Sequence, residues 1–263
     1  LALETAGRTH LLILGGTAEA AALARRLAGV PGLAVTSSLA GRTTGGRDLP
    51  GSLRVGGFGG VDGLAAYLAT SGIDLVVDAT HPFASQMTHN AAAACAAAGV
   101  PRLRLERPAW QPIAGDRWER VADAGEAAQA LRRHGSNVFL ATGRTDLAAF
   151  AHLGDKHFLV RLVDAPKAPL ELAHFTLVTG RGPFRETDDR ALLQDHGIEV
   201  VVTKNSGGGG AYAKLAAARA LGLPVVMIDR PAEPAGDTVE DVDAAREWVL
   251  ARLEPSPPTG GGG

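Results

Sequence analysis

Gly72-Ile73-Asp74-Leu75-Val76-Val77, followed by Thr80-His81-Pro82, an alanine-rich stretch, Gly99-x-Pro101 and Arg107-Pro108, is written again half a chain later. The second copy is Gly197-Ile198-Glu199-Val200-Val201-Val202, then Thr203-Lys204-Asn205, another alanine-rich stretch, Gly222-x-Pro224 and Arg230-Pro231. A short valine-rich run between turn residues suits a strand buried on both faces, and the alanine-rich stretches are long enough for helices. Each copy therefore reads strand, loop, helix, strand. Any two α/β units share that grammar, but the equal spacing of Gly-x-Pro and Arg-Pro favours a duplication. Two such units imply mainly parallel sheets, with a ligand cleft expected between them.

The alternation extends outward from both copies. An apolar strand over 10–14 enters Gly15-Gly16-Thr17, with a helix over 18–28. A strand over 33–37 leads into a polar loop over 38–50, then a short strand over 52–55 and a helix over 61–69. Pro108 and Pro112 interrupt the pattern, because neither continues a helix or a central strand. Strands over 138–141, 158–162, 175–178, 200–202 and 225–228 follow, and an amphipathic helix over 241–253 ends the pattern. The expectation is an α/β protein of two domains, a nucleotide-binding one over 9–106 and a substrate-side one over 107–253. The proline-, serine- and glycine-rich stretch 254–263 is expected to be a disordered tail.

Composition removes several function classes. A net charge of −2 over 263 residues gives no electrostatic reason to expect nucleic acid or an anionic membrane as partner. A single cysteine, Cys95, excludes a disulfide framework within the chain. No apolar run approaches the roughly 20 residues of a membrane span, and residues 1–8 lack the basic-then-apolar order of a signal peptide, so a cytoplasmic location is expected. His81 and His89 stand eight apart with no carboxylate–histidine ligand spacing between them, so no metal site is expected.

Four strand ends carry candidate chemistry. Gly15-Gly16-Thr17-x-Glu19 offers close backbone approach and a helix N-terminus to a phosphate, although adjacent glycines and a missing third glycine depart from the usual dinucleotide fingerprint. After the second strand, Ser37-Ser38-x-x-Gly41-Arg42-Thr43 contains no acid to grip a ribose, and it supplies groups suited to a 2′-phosphate; this favours NADPH over NADH. Thr80-His81-Pro82 ends another strand, where His81 can orient an amide or donate a proton. Lys204-Asn205-Ser206-Gly207 opens a run of four glycines, with Lys204 suited to anchoring a carboxylate or delivering a proton. Bland readings exist for each: a tight turn, a solvated arginine, a structural histidine and an exposed lysine on a glycine hinge.

Gly15-Gly16-Thr17-x-Glu19, the Asp78-Ala79-Thr80-His81-Pro82-Phe83-Ala84 loop, Glu106-Arg107-Pro108-x-Trp110 and Thr203-Lys204-Asn205-Ser206-Gly207 together resemble the precorrin-6A reductase family of cobalamin biosynthesis. The resemblance spans about residues 10–253. It implies two Rossmann-like domains that hold a nicotinamide nucleotide and a tetrapyrrole, with hydride delivered to a ring-D double bond of precorrin-6A to give precorrin-6B. It implies cofactor contacts at Gly15, Gly16, Thr17, Glu19, Ser37, Ser38, Gly41, Arg42, Thr43, Thr80, His81 and Pro82. Substrate contacts are expected from Arg107, Trp110, Arg144, Arg181, Lys204, Asn205, Ser206 and Gly207, with Trp110 covering a face of the macrocycle. Lys204 and His81 are the catalytic candidates, no flavin or metal is required, and the partners it implies are the tetrapyrrole and, for product hand-over, other corrin enzymes. Anaerobic relatives act on the cobalt-containing substrate, often with NADH, which leaves that reading open. A reductase of another conjugated substrate and a non-catalytic dinucleotide sensor are the remaining alternatives.

Overall fold

A computed structural model describes residues 7–40 and 48–253. The first elements are β1 (Thr9–Leu14), α1 (Ala18–Arg26), β2 (Leu33–Leu39), β3 (Ser52–Val55), α2 (Gly60–Thr70), β4 (Leu75–Asp78), α3 (Ser85–Ala98) and β5 (Arg102–Leu105). Next come β6 (Trp118–Val121), α4 (Ala124–Ala130), β7 (Asn137–Ala141), β8 (His157–Leu162) and β9 (Phe175–Thr179). The chain ends with α5 (Glu186–Asp195), β10 (Val200–Lys204), α6 (Ala213–Ala220), β11 (Val225–Ile228), β12 (Asp237–Val239) and α7 (Val242–Leu250).

Two six-stranded sheets result, ordered β12-β5-β4-β1-β2-β3 and β6-β11-β10-β7-β8-β9. All strand pairings among the described residues are parallel. Replacing β1 through β5 by β7 through β11 converts one order into the other. These are two Rossmann-like units of the same topology. The sixth strand is the exception to simple repetition. β5 and β11 are each followed, one residue on, by Arg-Pro-Ala, and the chain then supplies the edge strand of the other sheet. One unit therefore runs up to Arg107 and resumes at Ala232, while the other is Pro108–Pro231.

That finding corrects the expected assignment of residues 107–253 to one domain. β12 pairs with β5 in the first unit, and Ala245 and Val249 of α7 join the cluster formed by Leu11, Ile13, Leu23 and Leu103. β6, α4 and β12 were not anticipated as elements. The reason is physical: β6 (Trp-Glu-Arg-Val) and β12 (Asp-Thr-Val) are short polar edge strands, and charge on an edge is what discourages pairing with other chains. β2 also runs two residues beyond its expected end, so Ser38 lies in the strand rather than in a loop.

The duplicated sequence motif has a structural cause. Gly72 and Gly197 follow the C-caps of α2 and α5 with φ of 57° and 54°, a left-handed conformation that costs glycine little. The next residues, Ile73 and Ile198, donate to the carbonyls of Leu68 and Leu193, both at 2.9 Å, which closes the helix end. Each isoleucine is itself buried. The following runs Leu75–Asp78 and Val200–Thr203 are buried throughout, as central strands covered on both faces must be. In the first unit β1 divides its apolar side chains by alternation, Leu11 and Ile13 facing α1 and α7, Leu12 and Leu14 facing α2 and α3.

Candidate active site

Ligands of open parallel sheets bind outside the carboxyl ends of the strands, so the loops after β1, β2, β4, β7, β9 and β10 are the places to inspect. After β1, Gly15 N–H donates to the Ser38 carbonyl at 2.9 Å. Gly16 adopts φ 115°, and nothing lies within 4 Å of where a Cβ would stand. Thr17 caps α1, its Oγ1 accepting from Ala20 N–H at 3.1 Å and donating to the Ala79 carbonyl at 2.8 Å. An open glycine turn and a helix start suit the phosphates of a nucleotide.

Other expected cofactor residues need refinement. Ser37 and Ser38 are buried in β2, and Ser37 Oγ has no hydrogen-bond partner. Gly41, Arg42 and Thr43 lie outside the described residues. Glu19, in the first turn of α1, accepts from Arg107 Nη1 at 2.7 Å. Arg107, expected on the substrate, is thus engaged within the first unit. Thr80 is buried and its hydroxyl donates to Asp78 Oδ1 at 2.7 Å, which leaves it internally occupied. Pro82 is buried. His81 is exposed, and its Nδ1 accepts from Phe83 N–H at 3.2 Å, so the neutral ring carries its proton on Nε2.

Beneath this loop lies a cluster of charges that sequence reading did not assemble. Arg104 is 2% exposed. Its Nη1 donates to Asp78 Oδ1 at 3.1 Å, the Asp78 carbonyl at 3.3 Å, and the Thr80 carbonyl and Oγ1, both at 3.2 Å. Its Nη2 reaches Glu233 Oε1 at 3.2 Å and lies 3.5 Å from Glu106 Oε1. Arg102 donates to the Ala235 carbonyl at 3.2 Å. Burial pushes the Glu233 carboxyl above its usual range; Arg104 opposes the shift, and the neighbouring Glu106 and Asp78 reinforce it. Arg102 and Arg104 are cations on a strand next to the loop and would suit substrate carboxylates by charge alone. Their burial in this cluster removes them from that role.

In the second unit Lys204 ends β10 and its Nζ pairs with Asp146 Oδ2 at 2.7 Å. Asn205 is buried; its Oδ1 accepts from Trp110 N–H at 2.8 Å, and its Nδ2 donates to the Trp110 carbonyl at 3.0 Å. Trp110 is 8% exposed, within the apolar cluster of Phe139, Leu159, Val225 and Met227. Its indole N–H donates to the Gly208 carbonyl at 2.8 Å. The indole is a core plug, which contradicts the expectation that it covers a macrocycle face. Asn205 likewise serves the loop rather than a ligand. Ser206 N–H donates to the Lys204 carbonyl at 2.8 Å, and Gly207 has φ 67°. Arg144 and Arg181 are exposed after β7 and β9, each in a Thr-Gly-Arg sequence, with Asp164 3.8 Å from Arg181.

Two further groups went unnoticed in the sequence. Lys214 on α6 is 4% exposed; its Nζ donates to the Ala211 carbonyl at 2.6 Å and lies 4.9 Å from the Trp110 ring centroid. Burial pushes its ammonium down to about 7, nearby Arg161 adds to this and Asp189 opposes it. Arg161 itself forks onto Asp189 at 2.5 and 3.2 Å. Only an α-helical placement beside the glycine run would have flagged Lys214, and Arg161 reads as an ordinary strand residue. No cluster of three metal-ligating residues exists among the described residues.

Comparison with known proteins bears on this arrangement. The family model described as "Precorrin-6x reductase CbiJ/CobK" matches residues 10–250. The chain belongs to the precorrin-6x reductase family. A precorrin-6A reductase from Rhodococcus erythropolis is 51% identical over 242 residues, covering 92% of this chain and 97% of the relative. One from Rhodobacter capsulatus is 48% identical, covering 92% and 96%. The solved structure described as "CobK precorrin-6A reductase" superposes with a TM-score of 0.86 at 48% identity, covering 92% of this chain and 96% of the other. The family is one of oxidoreductases, and no helix among the described residues is long and apolar enough to cross a membrane.

Proposed function

We propose that this chain reduces precorrin-6A to precorrin-6B, at a ring-D double bond, with NADPH as hydride donor. The observation that carries the reading is the open Gly15-Gly16-Thr17 turn beside a β2 end without an acid, in a chain of the reductase family. NADPH supplies the hydride when bound. Backbone N–H groups of the turn and the α1 N-terminus receive the pyrophosphate, and Arg42 and Thr43 receive the 2′-phosphate. Ser37 and Ser38 leave space and neutrality where an acid would repel it.

Lys204, Arg144 and Arg181 receive carboxylates of the macrocycle. Asp146 already balances Lys204, which favours an anchoring role over proton delivery. His81, with its proton on Nε2, orients the nicotinamide amide or supplies the proton that completes the reduction. The cobalt-free substrate is favoured because the relatives near half identity are described as precorrin-6A reductases. Anaerobic turnover of the purified chain with precorrin-6A and either nucleotide tests the reading. NADPH oxidation in step with precorrin-6B formation, with NADH slower, is the expected result. Turnover confined to NADH, or to a cobalt-containing substrate, would overturn it.

A further inference from the structure

The two halves of the chain solve one packing problem in two chemical ways. Counting from the repeated Arg-Pro-Ala, Glu233 in the first unit stands where Trp110 stands in the second. Strand register equates Asp78, paired with Arg104, with Thr203, paired with Met227. The acid–arginine–acid set Asp78, Arg104 and Glu233 thus corresponds to Thr203, Met227 and Trp110. In the second unit an indole in an apolar cluster seals the entering segment. In the first, buried charges do so, and they do it incompletely. Asp78 Oδ2, Arg102 Nη1, Arg104 Nε and Glu233 Oε2 are buried without a hydrogen-bond partner among the described residues. Buried charge is costly and an apolar replacement is often no less stable. The chain itself contains that replacement, so closing this kind of sheet does not require the ions.

What the ions do that an indole cannot is fix backbone. One nitrogen of Arg104 holds the Asp78 and Thr80 carbonyls together with both of their side chains. The carbonyl between those two, Ala79 O, accepts from Thr17, the cap of α1. We infer that Arg104, held by Asp78 and Glu233, is a positioning residue for the nucleotide: it sets the Thr80-His81 loop and, through Ala79, the glycine turn. The inference rests on the reading that this unit holds NADPH. It also means that the segment returning at Ala232 takes part in building the cofactor site, through Glu233.

The test replaces Asp78 and Arg104 by their counterparts and neutralises Glu233. Asp78→Thr/Arg104→Met/Glu233→Gln, with Glu233→Gln alone as a milder variant, would be compared with the full wild-type chain. Melting temperature, the NADPH dissociation constant, and KM and kcat would be measured. The expected result is a melting temperature near wild type, NADPH binding weaker by about tenfold in the triple variant, the scale of one lost charge-assisted hydrogen bond, and a smaller loss in Glu233→Gln. KM for NADPH rises while kcat changes less, and Arg104→Lys, which keeps the charge without the fork, recovers part of the affinity. A folded triple variant with unchanged NADPH affinity overturns the inference. If the triple variant does not fold, unchanged affinity in Glu233→Gln overturns it instead. Wild-type protein that binds no NADPH removes the nucleotide reading and this inference with it.

Discussion

The turns after β1 and β7 occupy corresponding places in the two sheets and present different chemistry. Register sets Leu14 against Asp78 and Ala141 against Thr203, so Gly15-Gly16-Thr17 corresponds to Thr142-Gly143-Arg144. Both middle glycines have positive φ, 115° and 83°. The first turn then enters a capped α-helix; the second enters a 3-10 helix over Arg144–Phe150 and has a guanidinium where the cap was. Even the acids correspond: Glu19 holds Arg107 and Asp146 holds Lys204. The two frames thus share topology while their strand ends differ, one presenting bare N–H groups and the other cations; under the proposed function the first would take phosphates and the second carboxylates. Backbone donors suit a ligand that must be approached closely, and long cationic side chains suit carboxylates spread around a macrocycle.

The largest expected effect breaks the second unit's version of the frame. Gly207 corresponds to Pro82, and a Cβ there would overlap the Pro108 carbonyl and Arg230. Gly207→Ala should lower unfolding free energy by about 2–5 kcal/mol, from backbone strain and overlap together. Denaturant titration would measure this; a loss below about 0.5 kcal/mol would mean the loop relaxes freely.

Arg42→Ala sharpens the contrast between the turns. Loss of one charged contact should cost NADPH about 1.5–3 kcal/mol and NADH much less. Equal weakening of both nucleotides would remove Arg42 from the 2′-phosphate.

A pH effect separates α6 from α3. Counting back from Gly222 and Gly99, Lys214 corresponds to the buried alanine Ala91. Its folded-state pKa is depressed from 10.5 to about 7. Below about 7 the ammonium is charged in both states and the full burial penalty acts. Between about 7 and 10.5 only the unfolded chain keeps the proton, so the penalty is relieved as pH rises. Lys214→Met should therefore be most stabilising below pH 7, with the advantage shrinking through that window. A difference independent of pH would contradict burial as the cause.

The smallest effect is Arg181→Ala. Its pair with Asp164 is long and half exposed, so stability should change by less than about 0.5 kcal/mol. A raised KM for the tetrapyrrole at unchanged NADPH affinity is the expected kinetic mark.

Much of the fold was legible because its signals are local. The Gly-Ile helix ends and the runs Leu75–Val77 and Val200–Val202 declare themselves in a few consecutive residues. The exchange of edge strands was not legible, since β6 and β12 are short and polar and their partners are set by distant chain. The candidate site divides the same way. That Gly15-Gly16-Thr17 opens a helix and that Lys204 ends a strand could be read from neighbours in sequence. Trp110 looked like a ligand platform because burial against Phe139 and Met227 is a tertiary fact. Arg104 could not be recognised as a buried hub because Asp78 and Glu233 meet it from 26 and 129 residues away. One signal was present: the repeat's Arg-Pro-Ala is followed by Trp110 in one copy and Glu233 in the other, and that divergence marks the two different plugs.

Separate titrations of NADPH and of precorrin-6A against Gly16→Val and Lys204→Ala test the division of labour most directly. A β-branched residue at φ 115° should weaken NADPH by about tenfold or more and leave the tetrapyrrole untouched. Lys204→Ala should do the reverse, weakening precorrin-6A by about tenfold. If each variant weakened both ligands alike, or if Gly16→Val weakened only the tetrapyrrole, the two turns would not have the separate roles assigned to them.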